Sequence, residues 1–122
     1  MRLDDILQAE SGHEKVMGDI IRVLSLCMGA LWIGELYMEV KAFYRSLGEE
    51  PPGDESIDKA LHRLEDLEIV ALTPGIRATE DPRGEESILV KLLRYNDVAM
   101  RLSSDPRLAE YLDRYRRALR GY

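Results

Sequence analysis

The sequence predicts a mostly α-helical chain with a small antiparallel β-sheet, and three observations carry that reading. Apolar residues recur at spacings of three and four through His13–Met28, Glu35–Leu47, Asp54–Glu68 and Arg107–Arg120, the period of amphipathic helices. Between the third and fourth of these lie Ile69-Val-Ala-Leu-Thr-Pro-Gly75 and Ser87-Ile-Leu-Val-Lys-Leu-Leu93, β-branched and aliphatic runs separated by a polar loop, which is how a hairpin reads. With 122 residues, 45% of them hydrophobic, the chain is long enough to bury an ordinary core, so 1–122 is expected to be a single domain.

Taken in order, Leu3, Ile6 and Leu7 suggest a short first helix that stops near Ser11-Gly12. Val16, Met17, Ile20, Ile21, Leu24, Cys27 and Met28 then mark the first core helix. Gly29-Ala-Leu-Trp-Ile-Gly34 breaks the period, with three large apolar residues between glycines. Leu36, Tyr37, Val40, Tyr44 and Leu47 lie on one side of the next helix, which Gly48 closes. Glu49-Glu-Pro-Pro-Gly53 cannot continue it, because the prolines remove donors and disfavour helical geometry before them.

Asp54 or Ser56 is the expected cap of the following helix, whose buried face is Ile57, Ala60, Leu61, Leu64 and Leu67. The strand that follows is expected to end at Pro74-Gly75, placing Arg77 and Arg83 in the loop before the returning strand. Asn96 is read as a cap for a helical turn or two to Leu102. Asp105-Pro106 restarts the chain as a last helix, since proline suits the first helical position. That helix carries Leu108, Tyr111, Leu112, Tyr115, Ala118 and Leu119 in a stripe.

Charge and composition restrict function. The net charge of −6 makes the whole molecule repel polyanions, so any nucleic-acid contact must be local. No run approaches the ~18 apolar residues of a membrane span and no signal-peptide pattern is present, so a cytoplasmic protein is expected. Cys27 is the only cysteine, which excludes an internal disulfide and a thiolate metal cluster. There is no Gly-rich phosphate loop, zinc signature or nucleophile elbow, and His13 and His62 are the only histidines. An enzyme is not expected, nor a cofactor or metal. Gln8 and Asn96 are the only side-chain amides among 33% charged residues, a composition that fits a thermophile source. Trp32, Tyr37 and Tyr44 are read as core rather than as the lining of a ligand pocket.

The order helix, short strand, helix, helix, strand, loop, strand, helix resembles the winged helix-turn-helix superfamily. Ser56-Ile-Asp-Lys-Ala-Leu-His-Arg-Leu-Glu-Asp-Leu-Glu-Ile-Val70 resembles the recognition helix of PadR-like and MarR-like archaeal and bacterial transcription regulators. The resemblance implies a winged-helix core over 14–93 with an extra N-terminal helix and a C-terminal helical extension over 94–122, a possible dimerisation element. Where those families carry a glycine before the strand, this chain has Leu67-Glu68, and its turn before Asp54 is longer than the three or four residues of a tight helix-turn-helix.

By that resemblance Ser56, Lys59, His62 and Arg63 would face the major groove of double-stranded DNA, and Arg77 and Arg83 the backbone or minor groove. Against this, Asp54–Glu68 holds six acids and two bases, a net of −4. The segment Asp105–Tyr122, with five arginines and three acids, is the one clearly basic part. The expected function is a DNA-binding transcriptional regulator acting as a homodimer through Leu108, Tyr111, Leu112, Tyr115 and Leu119. The alternative is a winged-helix module for protein contact, its acidic helix meeting a basic partner and no DNA bound.

Overall fold

The computed structural model describes residues 2–121. Its elements follow the order α1 (Leu3–Gln8), α2 (Gly12–Leu26), β1 (Ala30–Trp32), α3 (Ile33–Ser46), α4 (Asp54–Asp66), β2 (Val70–Arg77), β3 (Glu85–Leu92), α5 (Tyr95–Leu102) and α6 (Pro106–Arg120). The fold is mostly α, with one three-stranded antiparallel sheet in the order β1-β3-β2. No helix among the described residues is long and apolar enough to cross a membrane.

Helix α2 is the centre of the molecule. Every residue from Met17 to Leu24 is buried, because α1, α3, α4, α5 and β3 all pack around it. Gly18 makes the α1 contact possible: a Cβ there would lie 2.9 Å from the Ile6 carbonyl oxygen and 3.1 Å from Arg22 Nη1. Ile57, Ala60, Leu61 and Leu64 of α4 and Leu36, Val40, Phe43 and Tyr44 of α3 join the same core. The core face of the sheet is supplied by Val70, Val90 and Leu92, with Leu72 partly buried, two residues apart along each strand as the pleat requires.

Three helices end by a left-handed residue that lets the chain reverse. Met28 (φ +63°) and Gly29 (φ +92°) close α2, Gly48 (φ +71°) closes α3, and Glu68 (φ +60°) closes α4. The amide two residues beyond the last turn then donates to a carbonyl inside it, as Ile69 does to Leu64 at 2.9 Å. Glu68 thus takes, with a side chain, the conformation that glycine adopts at no steric cost.

Local details depart from the sequence expectations for definable reasons. Gly12 opens α2 rather than closing α1, and Met28, 85% exposed, leaves the core because the chain has already turned there. Gly53, not Asp54 or Ser56, is the cap residue of α4, and Asp54 turns its carboxylate to Lys41 instead. Strand β2 runs through Pro74-Gly75 to Arg77, with Pro74 opposite Ile88. Proline is tolerated because β2 is an edge strand, where a missing donor need not break the ladder. Arg94, in left-handed geometry, precedes α5, so Asn96 lies within that helix. At α6 the cap is Asp105, whose carboxylate accepts from the Leu108 amide at 2.8 Å with Pro106 at the first helical position.

Candidate nucleic-acid interface

The exposed side of α4 is set by its period. With Ile57, Ala60, Leu61 and Leu64 held in the core, the opposite face shows Glu55, Ser56, Lys59, His62, Arg63 and Asp66 to solvent. Three of the helix's five acids, Asp54, Asp58 and the half-buried Glu65, are not on that face. Asp54 accepts an ion-paired hydrogen bond from Lys41, and Asp58 accepts one from the Tyr37 hydroxyl, so both carboxylates turn towards α3. Burial, reinforced by the bond to Asp58, pushes the Tyr37 phenol up to about 12 and keeps it a donor at any physiological pH. The six outward residues set Glu55 and Asp66 against Lys59 and Arg63, with Ser56 and His62 between, while Glu65 is half-buried beside them and Glu68 is exposed just beyond the helix.

Lys59 reaches Glu55 only at 4.0 Å, with both side chains largely solvated, so the pair leaves the ammonium available. Arg63 has no carboxylate within 4 Å among the described residues. The four α4 residues singled out from sequence, Ser56, Lys59, His62 and Arg63, thus share one exposed surface.

The two arginines expected beyond the strand sit on the β2–β3 hairpin, and not both in its loop. Arg77 is the last residue of β2, opposite Glu85, because the ladder continues past Pro74-Gly75. At about 3.3 Å per residue it lies roughly 23 Å along the strand from Val70, where α4 and β2 join. Arg83 is in the turn, its amide donating to Asp81 Oδ1 at 2.9 Å. Gly84 (φ +71°) is required there, since a Cβ would lie 2.5 Å from Ile76 Cγ2 and 2.8 Å from the Arg77 carbonyl oxygen. The same end of the hairpin carries Glu80, Asp81, Glu85 and Glu86, all exposed.

The α6 stripe divides. Leu108 is buried in its own chain, Tyr111 packs on Phe43 with ring centroids 4.8 Å apart, and Leu112 is partly buried, whereas Tyr115 and Leu119 are 53% and 61% exposed. The basic character of this helix is also reduced. Arg107 is bound inward to Asp19 and Glu49, while Arg114 and Arg117 pair with Glu110 and Asp113 one turn away.

A buried charge cluster went unseen in the sequence. Asp19 and Arg22 on α2 are 0% and 2% exposed. Arg22 donates to Asp19 (2.9 Å), to both oxygens of Asp105 (2.7 and 2.9 Å) and to the Leu7 carbonyl (2.6 Å). Arg107 donates to Asp19 (2.7 Å) and to Glu49 (2.7 Å), and Lys15 completes the set at Glu49 with a 2.5 Å contact. The Arg107 bond, with Lys15 adding, holds the Glu49 carboxyl down at about 2. Burial pushes Asp105 up, yet the bonds from Arg22 and the Leu108 amide leave it below its ordinary value. Spacing along α2 held no signal for it, since on the helical period positions 19 and 22 fall outside the arc marked by Val16, Met17, Ile20, Ile21, Val23 and Leu24.

Beside this cluster lies a cleft of about 680 Å³ lined by Lys15, Arg22, Arg101 and Arg107. Each of these cations is bonded to a carboxylate of the same chain, which leaves no unpaired cation for an anion. No group of three potential metal ligands occurs among the described residues. Burial, with Glu39 and Glu35 adding, raises the Cys27 thiol, the opposite of an activated nucleophile. Trp32 lies across Gly75, and Tyr44 is buried in the core.

No protein-family model, curated protein or solved structure matches the chain.

Proposed function

We propose that the chain is a winged helix-turn-helix regulator that binds double-stranded DNA as a homodimer. In this reading α3 and α4 form the helix-turn-helix, with Leu47–Gly53 as a long turn between them, α4 enters the major groove, and the β2–β3 hairpin is the wing. The order of elements and the β1-β3-β2 sheet agree with it. The observation that carries it is the outward face of α4. Lys41 and Tyr37 bind Asp54 and Asp58 from the α3 side, and the outward face that carries Ser56, Lys59, His62 and Arg63 sets two acids, Glu55 and Asp66, against two bases. Arg77 and Arg83 add phosphate contacts from the wing, and a two-fold pair would set two recognition helices ~34 Å apart on a palindromic site.

Fluorescence anisotropy on random-sequence duplex DNA at about 50 mM salt tests the reading: binding that weakens linearly in log salt is expected. Arg63→Glu and Arg77→Glu should each abolish it. Absence of binding to any duplex at that salt would sink the proposal.

A second reading is favoured by the hairpin. Ile76 is 68% and Ile88 38% exposed, both on the face that Val90 and Leu92 turn to the core, and the neighbouring tip is acidic. Such a surface suits a basic, amphipathic partner protein. If that is its role, an Ile76→Asp variant loses a protein partner while the wild-type chain ignores DNA.

A further inference from the structure

The two edges of the β2–β3 hairpin are finished differently. The Leu93 amide donates to the Ile69 carbonyl and the Leu92 amide to the Gly29 carbonyl, so odd-numbered residues of β3 turn their peptide groups to β2 and even-numbered ones to β1. On β2 the same alternation aims Val70, Leu72, Pro74 and Ile76 outwards, and Pro74 removes a donor from the middle of that edge, a guard against strand pairing. The edge of β3 is covered only in part. β1 pairs with Leu89–Lys91 and stops at Trp32, because the chain turns into α3 at Ile33. The N–H and C=O of Glu86 and Ile88 therefore face the line that β1 has left, and no loop or helix group bonds to them among the described residues.

Beside this open stretch is a shallow groove of about 690 Å³, walled by Ile33, Pro74, Ile76 and Ile88 and bordered by Glu86. Glu85 and Glu86 are exposed on β3, with Glu80 and Asp81 exposed at the same end of the hairpin. None of the four has a cationic partner within 4 Å among the described residues. Unpaired backbone groups, an uncovered apolar groove and unpaired acids thus adjoin along one edge.

We propose that this edge accepts an extended, basic segment of a partner protein as a fourth strand, antiparallel to β3 on the line that β1 leaves. Main-chain bonds to Glu86 and Ile88 supply affinity, and the alternation of side chains supplies selection. Directly opposed residues share a face of the sheet, so the partner residue opposite Ile88 enters the groove and is apolar, while those opposite Glu86 and Glu85 are Lys or Arg. In the partner's own direction the pattern is apolar, any, basic, basic. Arg77 lies on β2, one strand further from this edge. A second copy of the chain does not fit, since two such edges would gather the glutamates of both with no base on either. The inference rests on the protein-contact reading of the hairpin given above and adds how the partner is held; it does not depend on DNA binding.

Fluorescence anisotropy of the labelled peptide Gly-Ser-Val-Thr-Lys-Lys-Ser-Gly, with hydrogen exchange of the Glu86 and Ile88 amides by NMR as a second readout, tests it. Saturable binding is expected, and both amides should exchange at least about tenfold more slowly in the complex. Methylating the peptide nitrogens of Val and the first Lys, which face β3, should raise Kd at least about tenfold, whereas methylating those of Thr and the second Lys, which face away, should change it less than about twofold. Glu86→Lys should raise Kd about tenfold, and replacing the first Lys of the peptide by Glu should restore most of the loss. Ile76→Asp should raise it about tenfold as well. Both side chains are exposed, so the variants keep the fold. Binding that is lost in Ile76→Asp yet indifferent to methylation, with the two amides unprotected, overturns strand addition and leaves the hairpin as a contact surface. Binding unchanged in both Ile76→Asp and Glu86→Lys overturns strand addition and the hairpin reading together. No saturable binding of the peptide overturns strand addition, and the protein-contact reading is then decided by its own Ile76→Asp test.

Discussion

The first turns of α6 and its last turns carry the same residue types and meet different surroundings. At the start, Asp105 caps the helix and receives two bonds from Arg22, Arg107 reaches Asp19 and Glu49, and Leu108 enters the core. Towards the end, Arg114 and Arg117 bind acids of their own helix, with Arg117 67% exposed, and Leu119 faces solvent. Both halves carry an apolar stripe beside arginines that bind acids. Only the first is fastened to the rest of the chain, and the difference lies in burial. A charge withdrawn from water must be matched, so its partners become indispensable, whereas a solvated pair is nearly interchangeable with water and salt.

Breaking the fastened half should have the largest effect. Arg22→Met leaves Asp19 and Asp105 short of a partner in the interior and should cost about 3–5 kcal/mol in denaturant unfolding. A loss below about 1 kcal/mol would show that the cluster does not hold α6 to α2. Leu108→Ala should cost about 2–5 kcal/mol by opening a cavity. Leu119→Ala, measured where the chain is monomeric, should stay within about 0.5 kcal/mol, as expected for a solvated side chain. Equal losses at the two leucines would erase the contrast between the halves.

Acid sharpens the comparison next. Glu49 is held from the ordinary 4.5 down to about 2 by its bonds to Arg107 and Lys15, so the folded chain binds fewer protons there than the unfolded one. Stability from this group is complete above pH 4.5 and is lost as pH falls towards about 2. The Glu49 side chain is 34% exposed, so solvent screening makes the change smaller than a fully buried pair would give. Glu49→Gln should flatten that slope, with the two proteins differing above pH 4.5 and converging near 2; unchanged acid unfolding would separate Glu49 from the cluster. The smallest effect belongs to the free half. Glu110→Ala, which removes the partner of Arg114, should cost about 0.3–0.5 kcal/mol.

Much of the candidate interface was readable before the structure, though not its charge. The period of α4 put Ser56, Lys59, His62 and Arg63 on one exposed face, but a count along the segment cannot tell that Asp54 and Asp58 turn towards α3. That depends on Lys41 and Tyr37, which are 13 and 21 residues away in the chain. The hairpin shows the converse. Pro74-Gly75 signals a turn locally, and pairing with Ser87 and Ile88 overrides the signal because an edge strand tolerates the missing donor. In α6, spacing revealed the stripe, and it could not say which apolar residues the chain itself would cover.

What the sequence determined by itself was every feature that depends on neighbours within a few residues. These are the amphipathic helices, the Asp105-Pro106 start of α6, the left-handed close at Gly48, and the absence of a nucleophile or metal motif. What only the tertiary structure decided was which charges are buried and which apolar residues remain uncovered. Asp19 and Arg22 meet Asp105 and Arg107 across more than 80 residues of chain, and Tyr115 and Leu119 are left outside. Periodicity reports the direction a side chain takes from its own helix. The desolvation that makes an ion pair essential, or leaves a leucine free, is set by what packs against that face from elsewhere in the chain.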